Sequence, residues 1–333
     1  MDYVDRIFGK FKIEEPIILE IINSPVFQRL KGVDQAGYRP LWVKPDIDIG
    51  EYDNTRFAHS LGVFLLLRKY DASLEEQIAG LIHDISHTTF SHCIDYALGT
   101  EAEKKHDYQD NTFESYVRDS MLPDIFKKYS LDLEFILNDK NFSLKEKMLP
   151  GLCADRIDYS LRDAVIFEEI SKKELDYFLD NLTTENGNWV FKSFRSAKKF
   201  AELFSLLNSK YYASFMSAFM LKAVGDYLKH AMNNKYINDD DLYTTDKEVL
   251  EKINKHLDRD KKLGLFFDRM NNRNGCKNSL ENYDVKVFCK SRAVDPLFRE
   301  NGEIKKVSDV DEDWGEKVKE ELKPKKYYLK FEK

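Results

Sequence analysis

Glycine and proline are scarce in this chain, at 14 and 8 in 333 residues. Few positions can break an element, so long runs are expected, and the spacing of apolar residues makes most of them helices. Residues 16–32 (PIILEIINSPVFQRLKG) carry apolar side chains at helical intervals, with Ser24-Pro25 as a restart. Residues 34–53 are rich in Pro, Gly and Asp and read as a loop. Residues 54–70 form the next helix, with Asn54 or Thr55 as N-cap. Residues 73–98 read as helix, break and helix, with Ser73 and Glu76 spaced as a capping box. Residues 143–169 read as helical, and 195–233 as one long helix or two.

The pattern changes in two places. ENGNWVFK, around 184–192, has the Asn-Gly signature of a tight hairpin. In the tail, YDVKVFCKSRAV (283–294) and KKYYLKFEK (325–333) alternate as strands do, and residues 311–322 between them read as a short exposed helix. The expected architecture is mainly α, a helical bundle with a small mixed α/β C-terminal subdomain. The expected segments are a core over 1–175, a helical continuation with a short β-hairpin over 176–275, and the small α/β subdomain over 276–333.

Net charge is −7, with an isoelectric point near 5.7. A protein that wraps nucleic acid carries a basic surplus, so nucleic acid is not an expected partner. A local basic pocket for a small polyanion is compatible with that sum. The four cysteines, Cys93, Cys153, Cys276 and Cys289, show no CxxC pair and read as reduced thiols of a cytoplasmic protein. No stretch approaches the roughly 18 apolar residues that cross a bilayer, and the first residues do not resemble a signal peptide, so no membrane is expected.

Five of the seven histidines, His59, His83, His87, His92 and His106, fall within 48 residues, where an even spread would put about one. A lone histidine on an apolar helix is usually a core residue; this density, with acids interleaved, is not explained that way. In GLIHDISHTTFSHCID (80–95), His83 and Asp84 follow an apolar face, and at a helix end two neighbours can converge on one ion. An imidazole with a carboxylate and no thiolate suits Mn, Fe, Zn, Ni or Co. His59, in RFAHSLG, is a candidate third ligand. In LCADRIDYSLRD (152–163), Asp155, Tyr159 and Asp163 share one helix face. Asp155 is a candidate buried ligand; alternatively these acids form a solvated face with Arg156 and Arg162.

The order H…HD…D resembles the HD-domain phosphohydrolases. SPVFQRLKGVDQAG, NTRFAHSLGV, IAGLIHDISHTTFSHCID and ADRIDYSLRDA resemble, in sequence, successive motifs of their deoxynucleotide triphosphohydrolase branch. DRIFGKFKI and KSRAVDPLFRENGEIKKVSDVD resemble the start and tail of the bacterial relatives. The resemblance is dense over residues 5–170 and thinner beyond. It implies an HD-domain helical bundle over the first segment.

That resemblance implies roles. His59, His83, Asp84 and Asp155 would bind one divalent transition metal ion, with Mg accompanying the substrate phosphates. His87, Asp95 and His106 would handle protons and the leaving group, and His92 would contact the reacting phosphate. Arg56 would bind phosphate, Gln35 would read the sugar, and Arg156, Tyr159, Asp163 and Tyr211 would line the triphosphate and sugar. The implied reaction is attack of metal-activated water on a nucleotide phosphorus, the α-phosphorus first among them, releasing nucleoside and triphosphate. Relatives commonly form dimers or larger assemblies; Phe200, Phe204, Phe215 and Phe219 would supply either an interface or internal core.

Departures from the branch are also visible. Ser86-His87-Thr88-Thr89 stands where Gly-His-Gly-Pro is common, and Leu203 and Phe204 stand where relatives place an arginine before Tyr211. Rival readings are another HD phosphoesterase, acting on monophosphates, oligonucleotides or cyclic nucleotides, and a non-catalytic nucleotide sensor. The acidic balance counts against a nuclease. No GYP triplet follows the HD pair, and no ligand or catalytic histidine is lost as a sensor would allow.

Overall fold

A computed structural model describes residues 1–38, 54–99 and 104–332. Most of the loop read over 34–53 lies outside the described residues, as does Lys333. The chain is mainly α with small sheets. Its principal helices are α1 (Pro16–Asn23), α2 (Arg56–Lys69), α3 (Leu74–Ile82), α4 (Cys93–Leu98), α5 (Tyr108–Arg118), α6 (Ala154–Ile166), α7 (Phe194–Leu207), α8 (Phe215–Asn233), α9 (Asp246–Asn254), α10 (Lys261–Met270) and α11 (Glu312–Glu321).

The centre of the molecule is α2. Every residue from Arg56 to Leu67 is buried, so this helix is covered on all sides. It packs on α3 and α6. Phe64, Leu65, Leu66 and Leu67 are fully buried, and each such side chain contributes roughly 1.5–3 kcal/mol of burial free energy. Thr55 caps the helix, its side chain accepting from Ala58 N. Gly62 is required here: a Cβ at this position would collide with the Asp158 carboxylate and the Arg162 guanidinium.

Ser73 caps α3 by accepting from Glu76 N at 3.1 Å, but the expected capping box does not close. The Glu76 carboxylate is buried and accepts instead from Leu144 N at 2.7 Å and Lys145 N at 2.9 Å, anchoring the approach to α6. That approach is irregular: the helix expected from 143 begins only at Ala154, after the turn at Pro150 and Gly151. Residues 195–233 form two helices, α7 and α8, separated by a π-helical turn at Asn208–Tyr212 and by the Ser214 cap.

Nine described strands form three sheets. β1 (Asp2–Asp5) and β2 (Gly9–Lys12) make a hairpin that the sequence reading did not foresee. The Asn186-Gly187 turn joins β3 (Leu182–Glu185) to β4 (Asn188–Phe191), both turn residues having positive φ. β4 then pairs in parallel with β7 (Leu297–Glu300), which turns back into β8 (Glu303–Lys306). The third sheet has the order β5 (Cys276–Asn278), β9 (Lys325–Phe331), β6 (Val285–Cys289), all antiparallel. Thus strands from the expected segments 176–275 and 276–333 share a sheet. Val287, Cys289, Leu329 and Phe331 also share a core with α4 and α8. Phe200, Phe204 and Phe219 are buried in the core, and Phe215 packs on Tyr327. All four cysteines are free thiols. Among the described residues no helix is long and apolar enough to cross a membrane.

Candidate metal centre and its cavity

His59 lies in the first turn of α2 and Asp155 in the first turn of α6. α3 ends at Ile82, so His83 is its C-cap, and Asp84 leaves the helical path. This is why two sequence neighbours converge. His59 Nε2 is 3.2 Å from His83 Nε2, 3.0 Å from Asp155 Oδ1 and 3.7 Å from Asp84 Oδ2. His83 Nε2 is 3.4 Å from Asp84 Oδ1 and 3.6 Å from Asp155 Oδ1. The four residues assigned to the metal therefore meet at one point.

The outer partners set the tautomers. His59 Nδ1 lies 2.7 Å from Asp158 Oδ2, and His83 Nδ1 lies 2.8 Å from the Gly80 carbonyl. Both partners only accept, so each Nδ1 carries a hydrogen. The two Nε2 atoms then face each other across 3.2 Å, an arrangement that suits a cation between them. Burial disfavours charge on His59, but hydrogen bonds to Asp155 and Asp158 overcome it and lift its pKa to about 10. A proton and a divalent ion thus compete for the same point. Two imidazoles, two carboxylates and no thiolate fit Mn, Fe, Co, Ni or Zn.

Asp158 is a positioning residue that the sequence reading passed over. It is fully buried, accepts from Arg162 Nε at 3.0 Å and Nη2 at 2.8 Å, and Arg162 in turn reaches Asp5 at 3.0 Å. The metal wall is thereby tied to the N-terminal hairpin. Arg56 bonds Asp84 Oδ2 at 2.7 Å, Ser91 Oγ at 3.0 Å and the Gln35 carbonyl at 3.2 Å. Assigned from sequence to phosphate, it is held mainly by the protein. Burial opposes ionisation of Asp84, yet Arg56, His83 and His87 keep its carboxyl well below the usual range.

A row of imidazoles leads away from the donors. His87 Nε2 is 3.4 Å from Asp84 Oδ1. The His87 and His92 rings lie 5.1 Å apart at 86°, and His92 and His106 lie 5.1 Å apart at 30°. Burial, with Arg56 nearby, lowers the His87 pKa to about 4, and burial with His87 and His106 holds His92 well below its usual value. Both are neutral at pH 7. His92 Nδ1 lies 3.4 Å from Asp95 Oδ2, and burial raises the Asp95 carboxyl to about 7. His106 Nε2 lies 3.1 Å from the Tyr96 hydroxyl, which donates to the Phe288 carbonyl at 2.9 Å. The tyrosine proton being committed, His106 Nε2 is the donor in that pair.

Local backbone strain accompanies this row. Phe90, Ser91 and His106 have positive φ, at 58°, 45° and 49°. Asp246, at the start of α9, holds Phe90 by accepting from its N at 2.7 Å and also accepts from Asp34 N at 2.9 Å, and Ser91 Oγ donates to the Asp34 carbonyl at 2.6 Å. No sequence signal marked Asp246; it lies 156 residues from Phe90.

A cavity of about 670 Å³ opens on this arrangement, and all the residues singled out in the sequence line it except the buried His59 and Asp95. Arg156 is paired with Glu146 at 3.0 Å. Asp163 is buried, and burial raises its pKa to about 7 against the pull of the Tyr212 hydroxyl. Tyr159 lies edge-on to Tyr212 at 5.5 Å. Tyr211, assigned to the sugar, stacks on Phe167 at 4.1 Å and bonds the Glu169 carboxylate, so Tyr212 is the one beside Tyr159 and Asp163. Tyr211 and Tyr212 both belong to the π-helical turn at 208–212 and line the cavity. Lys290 and Arg292, also unassigned, reach the cavity from the C-terminal segment.

Residues 56–163 match the profile of the HD domain family. The chain is 36% identical over 251 residues to Uncharacterized protein YdhJ of Bacillus subtilis, covering 75% of this chain and 74% of that protein. It is 38% identical over 179 residues to Metal-dependent phosphohydrolase cns2 of Cordyceps militaris, covering 54% of this chain and 49% of that one. It is 31% identical over 150 residues to Deoxynucleoside triphosphate triphosphohydrolase SAMHD1 of Gallus gallus, covering 39% of this chain and 23% of that one. The last two relatives are therefore matched over half their length or less.

Proposed function

This chain belongs to the HD domain family and is a metal-dependent phosphohydrolase; we propose that its substrate is a deoxynucleoside triphosphate, cleaved to nucleoside and triphosphate. The observation that carries the reading is the union, in one cavity, of the His59, His83, Asp84 and Asp155 donors with the row His87, His92, His106. The motif resemblance and the similarity to SAMHD1 support the substrate class.

His59, His83, Asp84 and Asp155 would hold a divalent ion, and the chemistry that ion would supply is Lewis acidity. The protein's own groups do the rest. Asp158 fixes the tautomer and orientation of His59. Arg56 holds Asp84 as a carboxylate. His92, half-buried beside His87 on the cavity wall, is placed to contact a phosphoryl oxygen. His106, whose Nε2 hydrogen is given to Tyr96, can deliver a proton to the departing sugar oxygen from Nδ1 in its imidazolium form, and Asp95 supports the row from behind. Arg156 offers a planar, permanently charged fork to phosphate oxygens. Gln35, Tyr159 and Asp163 face the sugar, where the Asp163 carboxyl with its pKa near 7 can donate or accept.

The test is a product analysis. Purified protein with Mn²⁺ is offered each deoxynucleoside triphosphate, ribonucleoside triphosphate and nucleoside monophosphate, and the products are separated by ion exchange. Nucleoside with intact triphosphate is expected. Orthophosphate released from monophosphates would replace this reading with a nucleotidase.

A further inference from the structure

Two half-buried cations on the cavity wall stand apart from its paired ones; Lys140, which also lines the cavity, is exposed. Lys145 pairs with Asp139, Lys147 with Asn188, Arg156 with Glu146 and Arg56 with Asp84. The side chains of Lys290 and Arg292 make no ion pair or hydrogen bond to any described residue, although both are half-buried and line the same cavity. Asp95 and Asp110 lie in the field of Lys290 but beyond ion-pair distance. Burial, and then Arg292, lower the Lys290 pKa to about 8. Two like charges held together without an ion-pair partner among the described residues favour the arrival of an anion.

The segment is also built to hold them there. Asn208, fully buried in the π-helical turn, accepts from Arg292 N at 2.9 Å and donates to Ser291 Oγ at 3.0 Å. Cys289 lies against the Tyr212 carbonyl at 3.4 Å, and Phe288 takes the Tyr96 hydroxyl. Arg292 is thus fixed near Tyr159 and Tyr212; burial pushes both phenols up, and the charge of Arg292 opposes that rise. Phe204, which with Leu203 stands where the resembling branch has an arginine, is buried beside the same two tyrosines.

We propose that Lys290 and Arg292 form the binding site for the distal phosphates of the substrate, a polyanion-reading arm contributed by the C-terminal segment. This rests on the triphosphate reading above. Arg292 supplies a fork matched to two phosphate oxygens, and Lys290 a point charge that can bridge neighbouring groups.

The test is equilibrium binding of inorganic tripolyphosphate, as its magnesium salt, to the metal-loaded enzyme, with orthophosphate as comparison and metal content measured before and after. Wild type should prefer tripolyphosphate. Arg292→Gln and Lys290→Gln should each weaken tripolyphosphate by about 10- to 100-fold, the range for one charge-assisted contact, with metal content and orthophosphate binding unchanged. Arg292→Lys should restore part of the loss. No tripolyphosphate preference in wild type, undiminished binding in both glutamine variants, or equal loss of both anions would overturn the proposal. Arg292-dependent binding by an enzyme that proves to be a nucleotidase would leave this site standing and remove the triphosphate reaction. Triphosphate release with Arg292-independent binding would do the reverse.

Discussion

The metal wall and the C-terminal wall of the cavity are finished differently. On the metal wall, His59 and His83 give their Nδ1 hydrogens to Asp158 and Gly80, and Asp84 is held by Arg56. On the C-terminal wall, the backbone of Ser291 and Arg292 is clamped by Asn208, while the cationic side chains of Lys290 and Arg292 have no partner among the described residues. The difference teaches what each wall waits for. A fully braced ligand set keeps its geometry for a resident ion. Braced backbone with unanswered charge suits an anion that comes and goes with each turnover. His106 sits at the seam, positioned through Tyr96 by a carbonyl of the C-terminal segment.

The largest effect should come from breaking the metal wall itself. Asp155→Ala should remove metal and turnover together, read by metal analysis and product assay; turnover at wild-type rate without metal would break the contrast. Next is the seam. His106→Ala should retain metal and lower kcat by about 10²- to 10⁴-fold, the usual worth of a general acid. Full activity in that variant would take His106 out of the proton row. Third, Asp158→Asn should weaken metal affinity by about 10- to 100-fold, as loss of an outer partner does, with a lower Tm because Arg162 loses one of its two buried counter-charges and keeps only Asp5. Unchanged affinity would mean the bracing of His59 is ornamental.

The smallest effect concerns pH. The folded Asp163 carboxyl titrates near 7, while in an unfolded chain it titrates near about 3.9. Between those values the folded protein holds a proton that the unfolded chain has released, so this group makes stability fall as pH rises from about 4 to about 7. Asp163→Asn removes its share, and thermal melts across that window should show a shallower decline than wild type. An identical slope would show that Asp163 does not hold its proton.

Legibility followed sequence distance. His59, His83, Asp84 and Asp155 were readable because the HD pair and its flanking motifs are local, and Thr55 and Ser73 cap as their positions suggest. Asp158 lies one turn from Asp155, yet nothing in DRIDY distinguishes a ligand from its neighbour's brace. Glu76 had the spacing of a capping box, but a buried carboxylate facing two bare backbone N–H groups at 144 and 145 bonds those instead. The hairpin at 186–187 was legible, whereas the equivalent Asn301-Gly302 turn in RENGEIKK was not recognised, although both its residues have positive φ. Tyr211 was singled out and lines the cavity, whereas Tyr212, beside Tyr159 and Asp163 in the π-helical turn, carried no signal of its own. Lys290 and Arg292 lay in a visible strand pattern, but their place in the cavity depends on Asn208, more than 80 residues away.

The central claim is tested most directly by hydrolysing a deoxynucleoside triphosphate in ¹⁸O-labelled water and weighing each product by mass spectrometry. One ¹⁸O in the released triphosphate and none in the deoxynucleoside is the expected result, since water then attacks the α-phosphorus beside the metal donors. Label in orthophosphate, with a nucleoside diphosphate as the other product, would place the attack at the far end of the chain and contradict the account.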